Sequence, residues 1–245
     1  MQKTTRKKNR AKTLLFILMV MLILGVLGTA AYFLCRVKNI EVSGNARYSR
    51  EQIIALSGLQ MGDSIFTVKN AEVKALIMKE PYIKSAAIEE HFPDTISIAI
   101  TEKTAAAMIL YLNSFVILDE EGYILEITNN VVQEFCPTVS GMNVSSFQVG
   151  EKIKSADSGQ EEAYSLLIAK LKESKTIGII SEINLSNVRN IFMISRDSIK
   201  IRLGNLEEID KKLQWVSNIM PILFDEGKKG GTLDVSNPAQ GSYIP

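Results

Sequence analysis

Hydrophobic residues fill one stretch of the chain without interruption and elsewhere recur with the periods of helices and strands. Residues 14–34 form the uninterrupted stretch, which is uncharged and mostly aliphatic. A helix rises about 1.5 Å per residue, so this stretch would be roughly 30 Å long, the thickness of the hydrocarbon core of a bilayer. The pattern therefore predicts a transmembrane helix at 14–34.

Residues 36–104 carry patterns in the order strand, helix, helix, strand, strand, which predicts a small α+β domain. The first helix is marked by Ser49 and Gln52, a capping-box pair in which each side chain can bond the backbone N–H of the other. The last two strands are alternating runs joined by a turn, as in a hairpin. The predicted elements are Val37–Val42, a helix after Ser49 that ends at Gly58, Val68–Met78, Ile83–His91 and Ile96–Ile100.

Residues 105–236 predict a larger mixed β domain, followed by a tail at 237–245. A second capping-box pair, Ser158 and Glu161, predicts a helix to about Ser174 that buries Ala163, Leu166, Leu167 and Leu171. Pro221 should kink or stop the long helix that precedes the last strand. The predicted strands and the long helix are Met108–Leu112, Phe115–Leu118, Tyr123–Ile127, Ile177–Leu185, Ile191–Ser195, Ile199–Leu203, the helix Leu206–Leu223, and Thr232–Val235.

Charge is distributed unevenly, and this predicts how the chain crosses the membrane. Residues 1–13 carry +6, whereas the whole chain carries +1, so the remainder carries −5. Positively charged flanks stay in the cytoplasm, which predicts a cytoplasmic basic tail and an extracytoplasmic remainder in a single-pass type II protein. The mildly acidic remainder lacks the basic face that nucleic-acid binding needs.

Two alternatives to a retained membrane anchor stay open. A cleaved signal peptide also has a basic start and an apolar run, although its apolar region is usually about 7 to 15 residues long. A lipoprotein would carry lipid on Cys35, although the residues before that cysteine, Tyr32–Leu34, are large rather than small. The length of the run favours the anchor. We expect Cys35 and Cys136 to be free thiols, because a disulfide between them would tether the outer domain to the membrane surface.

Motifs of the common catalytic sites are missing from the sequence. His91 is the only histidine, and the patterns G-x-S-x-G, H-E-x-x-H, C-x-x-C and the P-loop do not occur. The acidic run at Asp119 to Gly122 lacks the ligand spacing of a calcium loop, so we expect a solvated hairpin tip. These patterns predict a protein that is not an enzyme and has no catalytic residues, metal site, cofactor or small-molecule substrate. Two carboxylates could still meet in the fold, as in a glycosidase.

The order of these features resembles the FtsQ and DivIB family of bacterial cell-division proteins, which contain a POTRA domain. Residues 37–45 resemble the opening strand and turn of that domain, Glu80–Ile83 its Pro-aromatic-Val step, and His91–Ile96 with Thr101–Lys103 its closing hairpin. In the second domain, the resembling positions are Asp119 with Gly122, Gly204, Lys212 with Leu213, and Thr232–Val235. The implied fold class is α+β, with an N-terminal transmembrane helix, a POTRA-like β-α-α-β-β domain, and a larger mixed β domain with a long C-terminal helix and final short strand.

The resemblance implies a division scaffold in the cell membrane, enriched at the septum. Its expected partners are single-span division proteins of the FtsL and FtsB/DivIC type, the septal peptidoglycan synthase complex and the lipid bilayer. A scaffold for secretion or outer-membrane assembly is the first alternative, because POTRA-like domains also occur there. An anchored cell-wall hydrolase is the second.

The last predicted strand is the candidate partner-binding site. A strand at a sheet edge has unpaired N–H and C=O groups, with which a partner strand can pair. The alternative is that this strand only completes the domain and its edge is covered. Pro238 interrupts the stretch where some relatives continue the strand, and Ile83–His91 is a second candidate contact. The expected edge residues are Leu233, Asp234, Val235, Ser236 and Asn237.

Overall fold

The computed structural model describes residues 3–130 and 136–245, and the chain divides into two compact units. The first unit ends at Glu102 and the second begins at Lys103. The architecture is the predicted α+β arrangement, in which an apolar N-terminal helix is followed by a small domain and by a larger β domain with a long C-terminal helix. In chain order the first unit contains α1 (Lys3–Leu34), β1 (Asn39–Ser43), α2 (Arg50–Ser57), α3 (Asn70–Ile77), β2 (Ile83–His91) and β3 (Thr95–Glu102).

Helix α1 is long and apolar enough to cross a membrane. Its apolar part, Lys12–Leu34, has 23 residues and a mean hydropathy of 2.7. The large apolar side chains between Leu14 and Leu34 are exposed, which is the state expected of a helix whose surroundings are lipid rather than protein. The helix begins at Lys3, so it continues from the predicted span into the basic segment.

The small domain of the first unit packs two helices on one face of a sheet. In the described residues this sheet has three strands in the order β1-β3-β2, with β1 parallel and β2 antiparallel to β3. Alternate residues of β3, namely Ile96, Ile98 and Ile100, are buried against Ile53 of α2 and Ile77 of α3. The predicted alternation of β3 is therefore confirmed, because its apolar side chains all face the same core.

The predicted capping box of α2 is confirmed. The Ser49 hydroxyl accepts a hydrogen bond from the Gln52 N–H at 3.2 Å, and the Gln52 side-chain oxygen accepts one from the Ser49 N–H at 2.7 Å. Gly58 ends the helix with a left-handed backbone, at a φ of 70°. Both helix ends thus lie where the local sequence places them.

The second unit is built around one long mixed sheet. Among the described residues the sheet has nine strands, in the order β14-β13-β12-β11-β10-β7-β4-β5-β6, and β8 pairs with β9 apart from it. The elements are β4 (Ala107–Tyr111), β5 (Ser114–Leu118), β6 (Ile124–Thr128), β7 (Thr138–Ser140), β8 (Val144–Ser146), β9 (Lys154–Ser155), α4 (Gln160–Glu173), β10 (Ile180–Asn184), β11 (Ile191–Ser195), β12 (Lys200–Gly204), α5 (Ile209–Asp225), β13 (Thr232–Asp234) and β14 (Ser242–Ile244).

Helix α4 differs from its prediction at the cap and on its buried face. Gly159 is the N-cap and makes no side-chain bond, while the Glu161 carboxylate accepts a hydrogen bond from the Ser155 N–H at 2.8 Å. The predicted Ser158–Glu161 capping box is therefore wrong, because Glu161 is drawn to strand β9. Ala163, Leu167 and Leu171 are buried as predicted, but Leu166 is 43% exposed and Tyr164 is buried instead.

Two other predicted elements end or begin elsewhere. The segment 177–185 opens as a short 3-10 helix, Ile177–Ile179, and becomes a strand only at Ile180. Helix α5 begins at Ile209 and continues through Pro221 to Asp225. Proline lacks an N–H, which leaves the carbonyl of Ser217 without its helical donor, but Pro221 is exposed and water can bond that carbonyl.

Candidate partner-binding edge of the large sheet

The C-terminal residues add two strands to one end of the large sheet. Strand β13 is parallel to β12, with Ile201 opposite Leu233 and Arg202 opposite Asp234. Strand β14 runs antiparallel on the other side of β13 and places Tyr243 opposite Leu233. The predicted strand at 232–235 is therefore present, but in the described residues β14 is the outermost strand of this end.

The apolar residues of the predicted site belong to the core. Leu233 and Val235 are both fully buried, and the Val235 N–H donates to the Arg202 carbonyl at 3.0 Å. Leu233 packs in the same hydrophobic cluster as Leu203 and Val216. These two side chains hold the end of the sheet on α5, so they are not themselves available to a partner.

Hydrogen bonds and an ion pair hold Asp234 and Ser236 in place at the end of β13. The Ser236 N–H and hydroxyl donate to Asp234 Oδ1 at 3.0 and 2.6 Å, and Arg202 Nη1 lies 3.2 Å from Asp234 Oδ2. Partial burial opposes ionisation of Asp234, but the hydrogen bonds from Ser236 and the charge of Arg202 outweigh it and lower the pKa of this carboxyl. Asp234 therefore fixes the turn that follows β13.

The turn between β13 and β14 is tied to helix α5. Asn237 Oδ1 accepts from the Ala239 N–H at 3.0 Å, and the indole N–H of Trp215 donates to the Pro238 carbonyl at 3.2 Å. Trp215 is half-buried and packs against the core. Pro238 thus lies in a turn that returns the chain antiparallel to β13.

Close packing around Gly231 keeps β14 in place. Gly231 has a φ of 78°, and a Cβ there would come within 2.7 Å of both the Ile244 carbonyl oxygen and the Tyr243 hydroxyl. The Tyr243 hydroxyl also donates to the Gly230 carbonyl at 3.1 Å. Gly230 and Gly231 are therefore a packing site for the last strand.

Strand β14 corrects the predicted edge. Residues Leu233–Asn237 were expected to form it, but β13 is paired on both sides and the 237–245 segment contains the outer strand. The side chain of Ile244 is 60% exposed. Among the described strands, the one whose backbone faces outward at this end is Ser242–Ile244. This strand has only three residues, which is too few to give a strand pattern in the sequence.

The second candidate contact also lies at a sheet edge. Strand β2 is outermost in the three-stranded order of the described residues and spans Ile83–His91, the bounds predicted from sequence. At its end His91 Nε2 lies 3.0 Å from the Ser97 hydroxyl and 4.0 Å from Glu89 Oε2. A catalytic Ser-His-carboxylate relay needs the hydroxyl and the carboxylate on opposite nitrogens of the imidazole ring. Here Ser97 and Glu89 both approach Nε2, so these three residues do not have the geometry of such a relay.

Asp119 is buried rather than solvated. It is 4% exposed, its Oδ1 accepts from the N–H groups of Glu121 and Tyr123 at 2.9 and 2.8 Å, and Lys103 Nζ lies 3.3 Å from Oδ2. The Tyr164 hydroxyl donates to the Asp119 carbonyl at 2.7 Å. The predicted hairpin is present, since β5 pairs antiparallel with β6, and Glu121 at its tip is exposed. Asp119 is not solvated, because each oxygen of its carboxylate has a donor or a cation.

Two other positions that carry the family resemblance in the second domain, Gly204 and Lys212, have structural roles as well. Gly204 has a φ of 71°, and a Cβ there would lie 3.1 Å from the Ser236 Cβ, so it allows β13 to end close to β12. The ammonium of Lys212 is buried and donates to the carbonyl and the side-chain oxygen of Asn205, each at 2.9 Å. Burial lowers the pKa of Lys212.

Comparison with known proteins identifies relatives of both units. The POTRA domain, FtsQ-type, matches residues 35–103. The cell division protein DivIB of Clostridium tetani is 31% identical over 202 residues, which cover 82% of this chain and 76% of that protein. The cell division protein FtsQ of Syntrophotalea carbinolica is 28% identical over 191 residues, which cover 77% of this chain and 66% of that protein.

A solved structure is also similar. The extracytoplasmic domain of DivIB from Geobacillus stearothermophilus is 20% identical, and the match covers 53% of this chain and 99% of that chain with a TM-score of 0.34. The family relationship rests instead on the sequence relatives, of which DivIB of Clostridium botulinum (strain Hall) matches 96% of this chain at 25% identity.

Proposed function

The chain belongs to the family of the cell division proteins DivIB and FtsQ, and from that premise we propose that it is a single-span membrane scaffold of the bacterial division machinery. The observation that supports this most is the 31% identity to DivIB of Clostridium tetani over 82% of the chain. One helix suited to a membrane and two compact units fit a protein that presents interaction surfaces outside the membrane.

The proposed topology follows from charge. The basic segment at 1–13 stays in the cytoplasm, Lys12–Leu34 crosses the membrane, and the two units lie outside it. The protein is enriched at the septum, has no catalytic activity of its own, and helps recruit or regulate septal peptidoglycan synthesis. Its partners are single-span division proteins of the FtsL and FtsB/DivIC type and the septal synthase complex.

The proposed contact is the C-terminal edge of the large sheet. A partner strand adds outside β14, where it gains backbone hydrogen bonds without displacing any strand. Residues Leu233, Asp234, Val235, Ser236 and Asn237 support that edge, because they hold β13 in the core and form the turn into β14. Affinity would come from the backbone, and specificity from exposed side chains such as Ile244.

A crosslinked pull-down from native membranes tests both the function and the contact. The wild-type chain should recover single-span division proteins and a septal synthase. Ile244→Lys should lose them, because a charge on the outer strand opposes pairing with a partner strand. Ile222→Lys is the matched control, since Ile222 on α5 is 56% exposed and Ile244 is 60% exposed. Its recovery should equal that of the wild type.

A truncation after Asn237 separates two modes of pairing. It removes β14 and leaves β13 as the outer strand. Loss of partners from this variant, with an unchanged melting temperature, supports addition outside β14. Undiminished recovery means that the partner pairs with β13 itself. If the wild-type chain recovers only secretion or outer-membrane components, the division function is wrong.

A further inference from the structure

Two exposed aromatic side chains lie together at the end of the small domain where the chain leaves helix α1. Phe66 is 59% exposed and Phe92 is 58% exposed, and their ring centroids are 5.4 Å apart. Phe66 lies in the short 3-10 helix Ile65–Thr67, and Phe92 lies in the turn between β2 and β3. We call Phe66 and Phe92 the aromatic pair.

The segment after α1, residues 35–38, is bonded directly to the loops that carry the aromatic pair. The Ile65 N–H donates to the Cys35 carbonyl at 3.1 Å, and the Val37 N–H donates to the Asp63 carbonyl at 2.8 Å. On the other side, the Lys38 N–H donates to the Asp94 carbonyl at 2.8 Å. The residues next to Phe66 and close to Phe92 are thus fastened to the first residues after the helix.

This bonding leaves no free linker between the helix and the aromatic pair. Helix α1 ends at Leu34, and the next residue, Cys35, is already bonded to Ile65, the neighbour of Phe66. A residue spans at most about 3.6 Å of extended chain, so these loops cannot move far from the end of the helix. Any bilayer that α1 crosses therefore reaches the loops of the aromatic pair.

From this geometry we infer that the aromatic pair is a membrane-contact site, which enters the headgroup and upper acyl region of the bilayer next to the end of α1. Aromatic rings on exposed faces favour this region, where apolar area leaves water while the polar backbone beside it stays hydrated. Arg36, whose guanidinium donates to the Gly62 carbonyl at 3.0 Å, adds a positive charge beside the site, which suits phosphate headgroups. The charge of Lys38 is offset by Asp94, whose Oδ2 lies 3.2 Å from the Lys38 ammonium. The inference rests on the proposed membrane span of α1.

The contact would hold the small domain against the membrane at one end only. The strands β1 and β3 start at this end, and β3 runs through eight residues to Glu102. Eight residues of strand extend roughly 25 Å, so the opposite end of the domain is well separated from the aromatic pair. Ala46, which is exposed, lies at that opposite end, because the N–H of the next residue, Arg47, bonds the Glu102 carboxylate at 2.7 Å.

Tryptophan fluorescence in vesicles tests the site on the full-length chain. The variants Phe66→Trp and Phe92→Trp are reconstituted in phosphatidylcholine vesicles, either plain or brominated near the top of the acyl chains. Both should lose fluorescence in the brominated vesicles relative to the wild type, whose only tryptophan is Trp215. Ala46→Trp is the control for position and should show no added loss.

A further variant, Tyr32→Trp, separates failure of the inference from failure of the span. Tyr32 lies near the end of α1, so its tryptophan is quenched whenever that helix is embedded. Quenching of Tyr32→Trp without quenching at positions 66 and 92, or equal quenching at position 46, overturns the contact site and leaves the span intact. Absence of quenching at position 32 overturns the proposed membrane span and the contact site with it.

Discussion

Asp234 is a single residue that links three parts of the candidate edge. Its carboxylate contacts Arg202 on β12 and receives two hydrogen bonds from Ser236 in the turn before β14. Because these donors favour the charged form, the pKa of Asp234 is lowered from its ordinary value of 3.8. The stabilisation is therefore complete above the ordinary value and is lost as the pH falls through the lowered one.

The variant Asp234→Asn should show this pH dependence. At neutral pH it loses the charge that Arg202 and Ser236 stabilise, so the free energy of unfolding should fall by about 1 kcal/mol. Below the lowered pKa the wild-type carboxyl is also neutral, and the difference between the two chains should vanish. Urea unfolding of both chains at a series of pH values from neutral to acidic measures this difference in the free energy of unfolding. A difference that stays constant with pH would mean that the charge of Asp234 does not stabilise the edge.

Two helices show what a local pattern specifies at the scale of an element. Ser49 and Gln52 close a capping box at α2, whereas Ser158 and Glu161 carry the same pattern and do not close one at α4. The difference is tertiary, since Glu161 bonds the Ser155 N–H instead. A capping pattern therefore predicts a helix start more reliably than it predicts the bonds made there.

Removal of the α2 cap should destabilise the small domain. Ser49→Ala deletes the acceptor of the Gln52 N–H, and the free energy of unfolding should fall by about 1 kcal/mol. Ser85→Ala is the matched control, because Ser85 is an exposed serine on β2 of the same domain. Thermal unfolding followed by circular dichroism compares the two variants. Equal melting temperatures for both would show that the cap contributes nothing.

At the scale of the molecule, each of the two units has its own hydrophobic core. One core comprises residues between Val37 and Ile100, and the other comprises residues between Ala106 and Val235. A unit with a complete core can fold alone. Asp119 with Lys103 closes a corner of the second core at the start of that unit, so cutting the chain before Lys103 leaves the pair intact.

Fragments 36–102 and 103–245 should therefore each unfold cooperatively in urea. The second fragment can be followed by the near-ultraviolet signal of Trp215. In that fragment Leu233→Ala should lower the free energy of unfolding by about 2–5 kcal/mol, because it opens a cavity in the second core. A fragment that unfolds gradually, without a transition, would show that its core needs the rest of the chain.

Much of the architecture was determined by the sequence alone. The apolar helix over residues 14–34 follows from an uncharged stretch of that length, and the strands Ile83–His91 and Thr232–Asp234 follow from apolar patterns that any fold must bury. The buried side chains of Leu233 and Val235 are part of the same pattern. These features depend on the periodicity of apolar residues along the chain, which can be identified without knowing which residues are close in space.

The tertiary structure alone decided which strand is outermost. Ser242–Ile244 is too short for a pattern, and it becomes a strand because Tyr243 packs at Gly231, Trp215 bonds the turn at Pro238, and β13 offers its backbone. The closeness of Phe66 and Phe92 to the end of α1 is of the same kind, since hydrogen bonds between residues distant in sequence produce it. Neighbours in space set both surfaces, and a linear pattern contains no information about them.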